Sequence, residues 1–184
     1  MKILWKRIDH EGLELCQVIQ SKKGISLNGL VILNFLGKIF RVEYNISCGP
    51  DWHTQSARIQ STEGGRIRKM EVVVDAGKRW HVNGRHVAAV DGCIDIDLGF
   101  SPSTNLLPIR RLHLVKGIPV SVVASWVEFP GLKMKPLKQI YQRRNTYTIH
   151  YESGNGEFRR ELEVNSRGII TKYPGLWELE TIGP

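Results

Sequence analysis

No apolar run in this chain approaches the roughly 18 residues that a membrane-spanning helix needs. The N-terminal "MKILWKRIDHEGLEL" is interrupted by Lys6, Arg7 and Asp9 before it reaches signal-peptide length, which predicts a cytoplasmic protein. Cysteine is scarce. Cys16, Cys48 and Cys93 are the only three, widely spaced and without CxxC or zinc-type Cys/His pairing, so a disulfide framework is not expected and small buried apolar roles are. The six histidines show no HxH or HExxH spacing. No phosphate loop, dinucleotide fingerprint or GxSxG elbow occurs. Neither a cofactor nor a metal nor a catalytic residue is implied by motif.

Acidic residues are almost missing from one segment. Between Arg110 and Arg144, Glu128 is the only acid among eight lysines and arginines, in a chain of 184 residues whose net charge is +8. Such a segment is either a solvated face or an attractor for phosphate or an anionic headgroup. Nucleic acid is not expected as a partner, since no RRM, KH or zinc-finger pattern accompanies the charge.

Long helical periodicity is absent too, and period-2 patterns dominate. "GKIFRVEYNI" places Phe40, Val42, Tyr44 and Ile46 on one face and Ile39, Arg41, Glu43 and Asn45 on the other. "LVILNFL" before it is apolar on both faces, and Gly37-Lys38 between the two suits a two-residue II′ turn. "KRWHVNGRHVAAV" reads as a hairpin about Asn83-Gly84, and "YTIHYESGNGEFRRELEV" as another about Gly154-Asn155-Gly156. Further strands are expected at 14–20, 57–61, 70–75, 92–98, 120–129 and 169–172. Turn signals recur about every ten residues, which predicts a large antiparallel sheet, curled or closed. Only two segments have helical spacing. One carries Leu106, Ile109, Leu112 and His113 behind a Thr104 or Asn105 cap, with Pro108 in the first turn. The other would open at Pro136 and carry Leu137, Ile140 and Tyr141. No linker or low-complexity run divides the chain, so one mainly β domain over 1–184 is expected.

The stretch "DGCIDIDLGFSPSTNLLPIRRL" gathers the chemistry. On a strand over 92–98, Asp91, Cys93, Asp95 and Asp97 share one face, with neighbours two apart about 6–7 Å from each other. Carboxylates that close can share a cation or raise one another's pKa, the requirement of a hydrolase or metal-dependent enzyme on the Asp91/Asp95/Asp97 face. Alternatively, Arg110 and Arg111, returned by the Pro102–Pro108 turn, can pair with Asp95 and Asp97 as structural ion pairs. The tryptophans Trp5, Trp52, Trp80, Trp126 and Trp177 are either core or, at strand ends, platforms for sugars or acyl chains.

Together with "DWHTQSARI", "SWVEFPGL" and the terminal "YPGLWE", this stretch resembles the bacterial family named "putative glycolipid-binding", in the same order over essentially the whole chain. The resemblance implies a spiral β-roll, a many-stranded sheet wrapped around a single helix. It also implies a homodimer and a non-catalytic role in holding an amphipathic ligand, a glycolipid, in an apolar groove. On that reading the candidate ligand contacts are Trp52, Arg110, Arg111, Trp126, Tyr141 and Trp177.

Overall fold

The computed structural model describes all residues, 1–184. Fifteen strands form one continuous sheet. The first eight are β1 (Lys2–Arg7), β2 (Gly12–Ser21), β3 (Gly24–Phe35), β4 (Lys38–Cys48), β5 (Thr54–Glu63), β6 (Arg66–Val74), β7 (Trp80–Val82) and β8 (Arg85–His86). After a crossover come β9 (Ile96–Leu98) and the single α-helix, α1 (Leu106–Arg111), then β10 (Pro119–Glu128) and β11 (Lys133–Arg143). The chain closes with β12 (Thr148–Ser153), β13 (Phe158–Val164), β14 (Ile170–Tyr173) and β15 (Trp177–Gly183).

The order across the sheet is β8 to β1, then β15 down to β9, so both chain ends lie at its middle. β1 and β15 pair antiparallel there, Ile3 opposite Ile182. Every pairing is antiparallel except that of β9 with β10. The sheet curls, and the segment from β8 to β10, with α1, fills its concave side. Leu106, Leu107, Pro108 and Ile109 of the helix are all buried. At the far wall, Gly168 leaves room for Ile109, whose Cγ2 would stand 3.0 Å from a Cβ added there.

Alternation explains most of the core. Phe40, Val42, Tyr44 and Ile46 of β4 are buried while Ile39 is 72% exposed, because successive side chains point to opposite faces. They join one cluster of 38 buried apolar residues that includes all three cysteines, none of them in a disulfide.

Three expectations need correction. Only Ile96–Leu98 of the 92–98 segment is a strand, and Asp91 lies beyond it at the end of a 3-10 turn, so strand alternation does not place Asp91 beside Asp95 and Asp97. Residues around Pro136 form strand β11 and not a helical turn, because ladders with β10 and β12 outweigh a weak helical spacing. Pro136 is tolerated there because β12 pairs only from Gln139 onward, leaving no partner on that side that needs its N–H. The β3–β4 turn is Leu36-Gly37, one residue earlier than expected, with φ of 52° and 75°. Both values are positive, as a I′ turn requires.

Candidate functional site

The register of β9 places Asp97 opposite Trp126 of β10. Gly99 makes this arrangement possible, since a Cβ at that position would lie 2.5 Å from the Trp126 indole nitrogen. Next to β10, β11 brings Gln139 and Tyr141 inward, and β12 brings Tyr151 opposite Tyr141. Between these strands, the Ser101–Asn105 loop and the β14–β15 corner lies a pocket of about 420 Å³. Trp126, Trp177, Tyr151 and Tyr173 give it aromatic walls, Leu137, Phe158 and Leu176 an apolar rim, and Asp97, Ser101 and Asn105 a polar side. Its size falls within the roughly 300–1,000 Å³ of small-molecule sites.

The polar side is organised by Gln139, which is buried. Its Nε2 donates to Asp97 Oδ2 at 2.5 Å and to Tyr151 Oη at 3.0 Å. Tyr141 Oη donates to Gln139 Oε1 at 3.3 Å and accepts from Asn105 Nδ2 at 3.0 Å. Burial pushes the Asp97 carboxyl up to about 6 against the opposing Gln139 hydrogen bond, with the charge of Asp95 adding to the rise. Burial also raises the hydroxyls of Tyr141, Tyr151 and Tyr173 above the usual phenol value, so all three remain protonated donors.

Asp95, two residues earlier, has a different partner. Arg111 Nε and Nη2 reach its two oxygens at 3.2 and 2.5 Å, a bidentate pair that joins the last turn of α1 to the strand edge. Burial nonetheless raises the Asp95 pKa, with Arg111 opposing it. Asp97 is not ion-paired: its hydrogen-bond partner is the neutral Gln139 amide and not an arginine. Arg110 does not meet a carboxylate either. Its guanidinium lies 5.5 Å from the Trp52 ring centroid and donates to the Arg167 carbonyl at 3.5 Å. Asp91 accepts from the Trp80 N–H at 3.1 Å and lies 2.7 Å from His86 Nε2. The three acids thus have three different partners. No group of three or more His, Cys, Asp or Glu side chains is placed to hold a metal ion.

Of the six candidate ligand contacts, Trp126 and Trp177 border the pocket and Tyr141 stands one hydrogen bond behind its wall. Trp52, Arg110 and Arg111 lie away from it. The arginines point elsewhere because one is taken by Asp95 and the other by Trp52.

A second polar cluster went unseen in the sequence. Glu14 of β2 is fully buried, and its Oε1 accepts from Tyr44 Oη at 2.5 Å and from Ser101 Oγ at 2.6 Å. Ser103 Oγ closes the ring, 2.7 Å from both Tyr44 Oη and Ser101 Oγ. Glu14 Oε2 has no partner, and burial lifts the carboxyl to about 7 despite the three hydroxyls. Ser101 belongs to both this ring and the pocket wall. The pattern of β2 conceals the cluster. Both of its faces carry apolar residues: Leu13, Leu15 and Ile19 face outward, while Cys16 and Val18 face the core together with Glu14.

No match is found among curated proteins. A crystal structure of a DUF1089 family protein from Pseudomonas aeruginosa superposes with a TM-score of 0.81 over 91% of each chain, at 28% identity. A β-barrel-like protein of the domain of unknown function DUF1849 from Brucella abortus shares the fold at 6% identity, with a TM-score of 0.59 over 97% of this chain and 93% of that one. The model of the family described as "Putative glycolipid-binding" matches residues 2–179, and with that span matched the chain belongs to this family.

Proposed function

We propose that the protein is a non-catalytic binding protein for an amphipathic ligand, a glycolipid, whose sugar end occupies the pocket beside Asp97. The observation that carries this reading is the juxtaposition of Trp126 and Trp177 with buried polar side chains in one opening of about 420 Å³. Aromatic faces stack on the C–H faces of a sugar ring, while amide, carboxylate and phenol groups satisfy its hydroxyls. Leu137, Phe158 and Leu176 supply an apolar exit for the first methylenes of a lipid tail, each worth about 0.8 kcal/mol when buried. The family description supports a binding role. The separate partners of Asp91, Asp95 and Asp97, a histidine, an arginine and an amide, count against a catalytic centre that uses the three acids together.

Native mass spectrometry of gently purified protein is expected to show a bound lipid that Trp126→Ala abolishes. A clean apo mass, together with no tryptophan fluorescence response to alkyl glycosides, would overturn the proposal.

We further propose a homodimer. The outer face of β1–β3 carries Leu4, Leu13, Leu15, Leu30 and Ile32 side by side, with Leu15 opposite both Leu4 and Leu30 in the ladders. Leu13, Leu15 and Ile32 are 49%, 46% and 48% exposed, a contiguous apolar patch of the kind that marks an interface.

A further inference from the structure

The pocket that we read as the sugar site has a definite electrostatic sign. Although the chain carries a net charge of +8, no lysine, arginine or histidine borders the pocket, and its two charged residues are Asp97 and Glu157. Two arginines stack on its aromatic lining, Arg7 at 5.1 Å from the Trp177 ring and Arg160 at 4.5 Å from the Phe158 ring, but each already donates within the protein, Arg7 to Asp9 and Arg160 to the Pro174 and Arg159 carbonyls. We infer that the pocket selects a polyhydroxylated, non-anionic ring and rejects phosphate, sulfate or carboxylate headgroups. This rests on the proposed function and narrows it.

The hydrogen-bond directions give the reason. Gln139 Nε2 donates to both Asp97 Oδ2 and Tyr151 Oη. Tyr151 therefore accepts from the amide, and its own proton goes to another acceptor, for which a ligand hydroxyl competes with the neighbouring Ser153 and Tyr173 hydroxyls. Asp97 keeps Oδ1, which has no donor within the protein and is not sealed from solvent. Because both groups line the pocket, its wall presents an acceptor and a donor held by one buried amide. Adjacent hydroxyls of a sugar ring offer the complement, one donating to Asp97 and the next accepting from Tyr151. An anion has no proton for Asp97 and meets its charge at close range, a juxtaposition that disfavours binding strongly in a desolvated site. The fixed relay from Asn105 through Tyr141 to Gln139 prevents the amide from turning to offer the opposite polarity.

The test is a tryptophan-fluorescence titration at pH 8 with octyl glucoside, methyl glucoside and octyl phosphate, each below its critical micelle concentration. The expected result is octyl glucoside binding at least about tenfold more tightly than octyl phosphate, with Asp97→Asn lowering glucoside affinity and narrowing the difference. Tyr151→Phe, which keeps the ring and removes the donor, should weaken the glucoside alone. Octyl phosphate binding as well as octyl glucoside overturns the inference while leaving a lipid-binding role standing. Equal binding of methyl and octyl glucoside supports the ring selectivity and overturns the lipid part of the proposed function. Absence of binding by all three overturns both.

Discussion

Arg111 holds Asp95 through two N–H···O bonds, and this pair ties the end of the one α-helix to the edge of the sheet. The Asp95 side chain is only 2% exposed and that of Arg111 14%, so neither charge has water to fall back on. The raised Asp95 pKa shows that desolvation exceeds what the arginine returns. The pair therefore fixes position more than it adds stability.

Arg111→Met should accordingly destabilise the fold by about 3–5 kcal/mol, because it strands a buried carboxylate. Adding Asp95→Asn should recover most of that loss. Urea denaturation of the two variants and the double mutant measures the coupling, and equal losses from Arg111→Met with and without Asp95→Asn would refute it.

The Tyr44 ring lies across Gly29 on the neighbouring strand, and a Cβ added at Gly29 would stand 2.0 Å from the ring carbon Cζ. This gap lets the hydroxyl cross β3 and reach Glu14 on β2. Gly29→Ala should cost about 1–3 kcal/mol through overpacking. Placed on a Tyr44→Ala background, the same substitution should cost far less, since the ring it would strike is gone. A comparable cost on both backgrounds, read from chemical denaturation midpoints, would count against this account.

Glu14 sets a pH dependence whose sign is fixed by its raised folded value of about 7, against 4.5 for an ordinary glutamate. The folded state holds the proton more tightly than the unfolded chain, so this contribution is fully present below about pH 4.5. It is lost as pH rises towards 7 and is constant above that. The change is worth about 1.4 kcal/mol for each unit separating the two values. Glu14→Gln should flatten the stability profile over this window and raise stability at pH 8 relative to the parent. An unchanged slope between pH 5 and 7 in the variant would place the titration elsewhere.

The fold was legible in the sequence wherever one strand face carried the apolar residues, as in Phe40, Val42, Tyr44 and Ile46, or where a turn dictated positive φ, as at Asn83-Gly84. The helix over Leu106–Arg111 was legible from the spacing of Leu106, Ile109 and Leu112, with Pro108 in its first turn. Reading failed where local pattern and tertiary placement disagree. In β2 both faces carry apolar residues, Leu13, Leu15 and Ile19 outward and Cys16 and Val18 inward, so periodicity alone does not select the side that buries Glu14. The pocket was only partly legible. Trp126 and Trp177 stood out as tryptophans, Trp177 near a presumed strand end, but Gln139 lies in a segment that resembled a helical turn. Its role depends on a register with β12 that no local signal encodes.

The outward leucines of β2 lead to the last prediction. If a second copy covers Leu13, Leu15 and Ile32, the protein should run in light scattering at twice its 20.9 kDa chain mass at micromolar concentration. Leu15→Glu would put a charge at the centre of the covered face, where it cannot be solvated, and should shift the mass to that of the monomer. Because Leu15 is already 46% exposed in the single chain, the same change should alter monomer stability little, within about 0.5 kcal/mol. A wild-type protein that is monomeric at all concentrations would remove the dimer. A dimer that survives Leu15→Glu would move the interface to another face. A variant that dissociates and also unfolds would show that the patch serves the monomer's own packing.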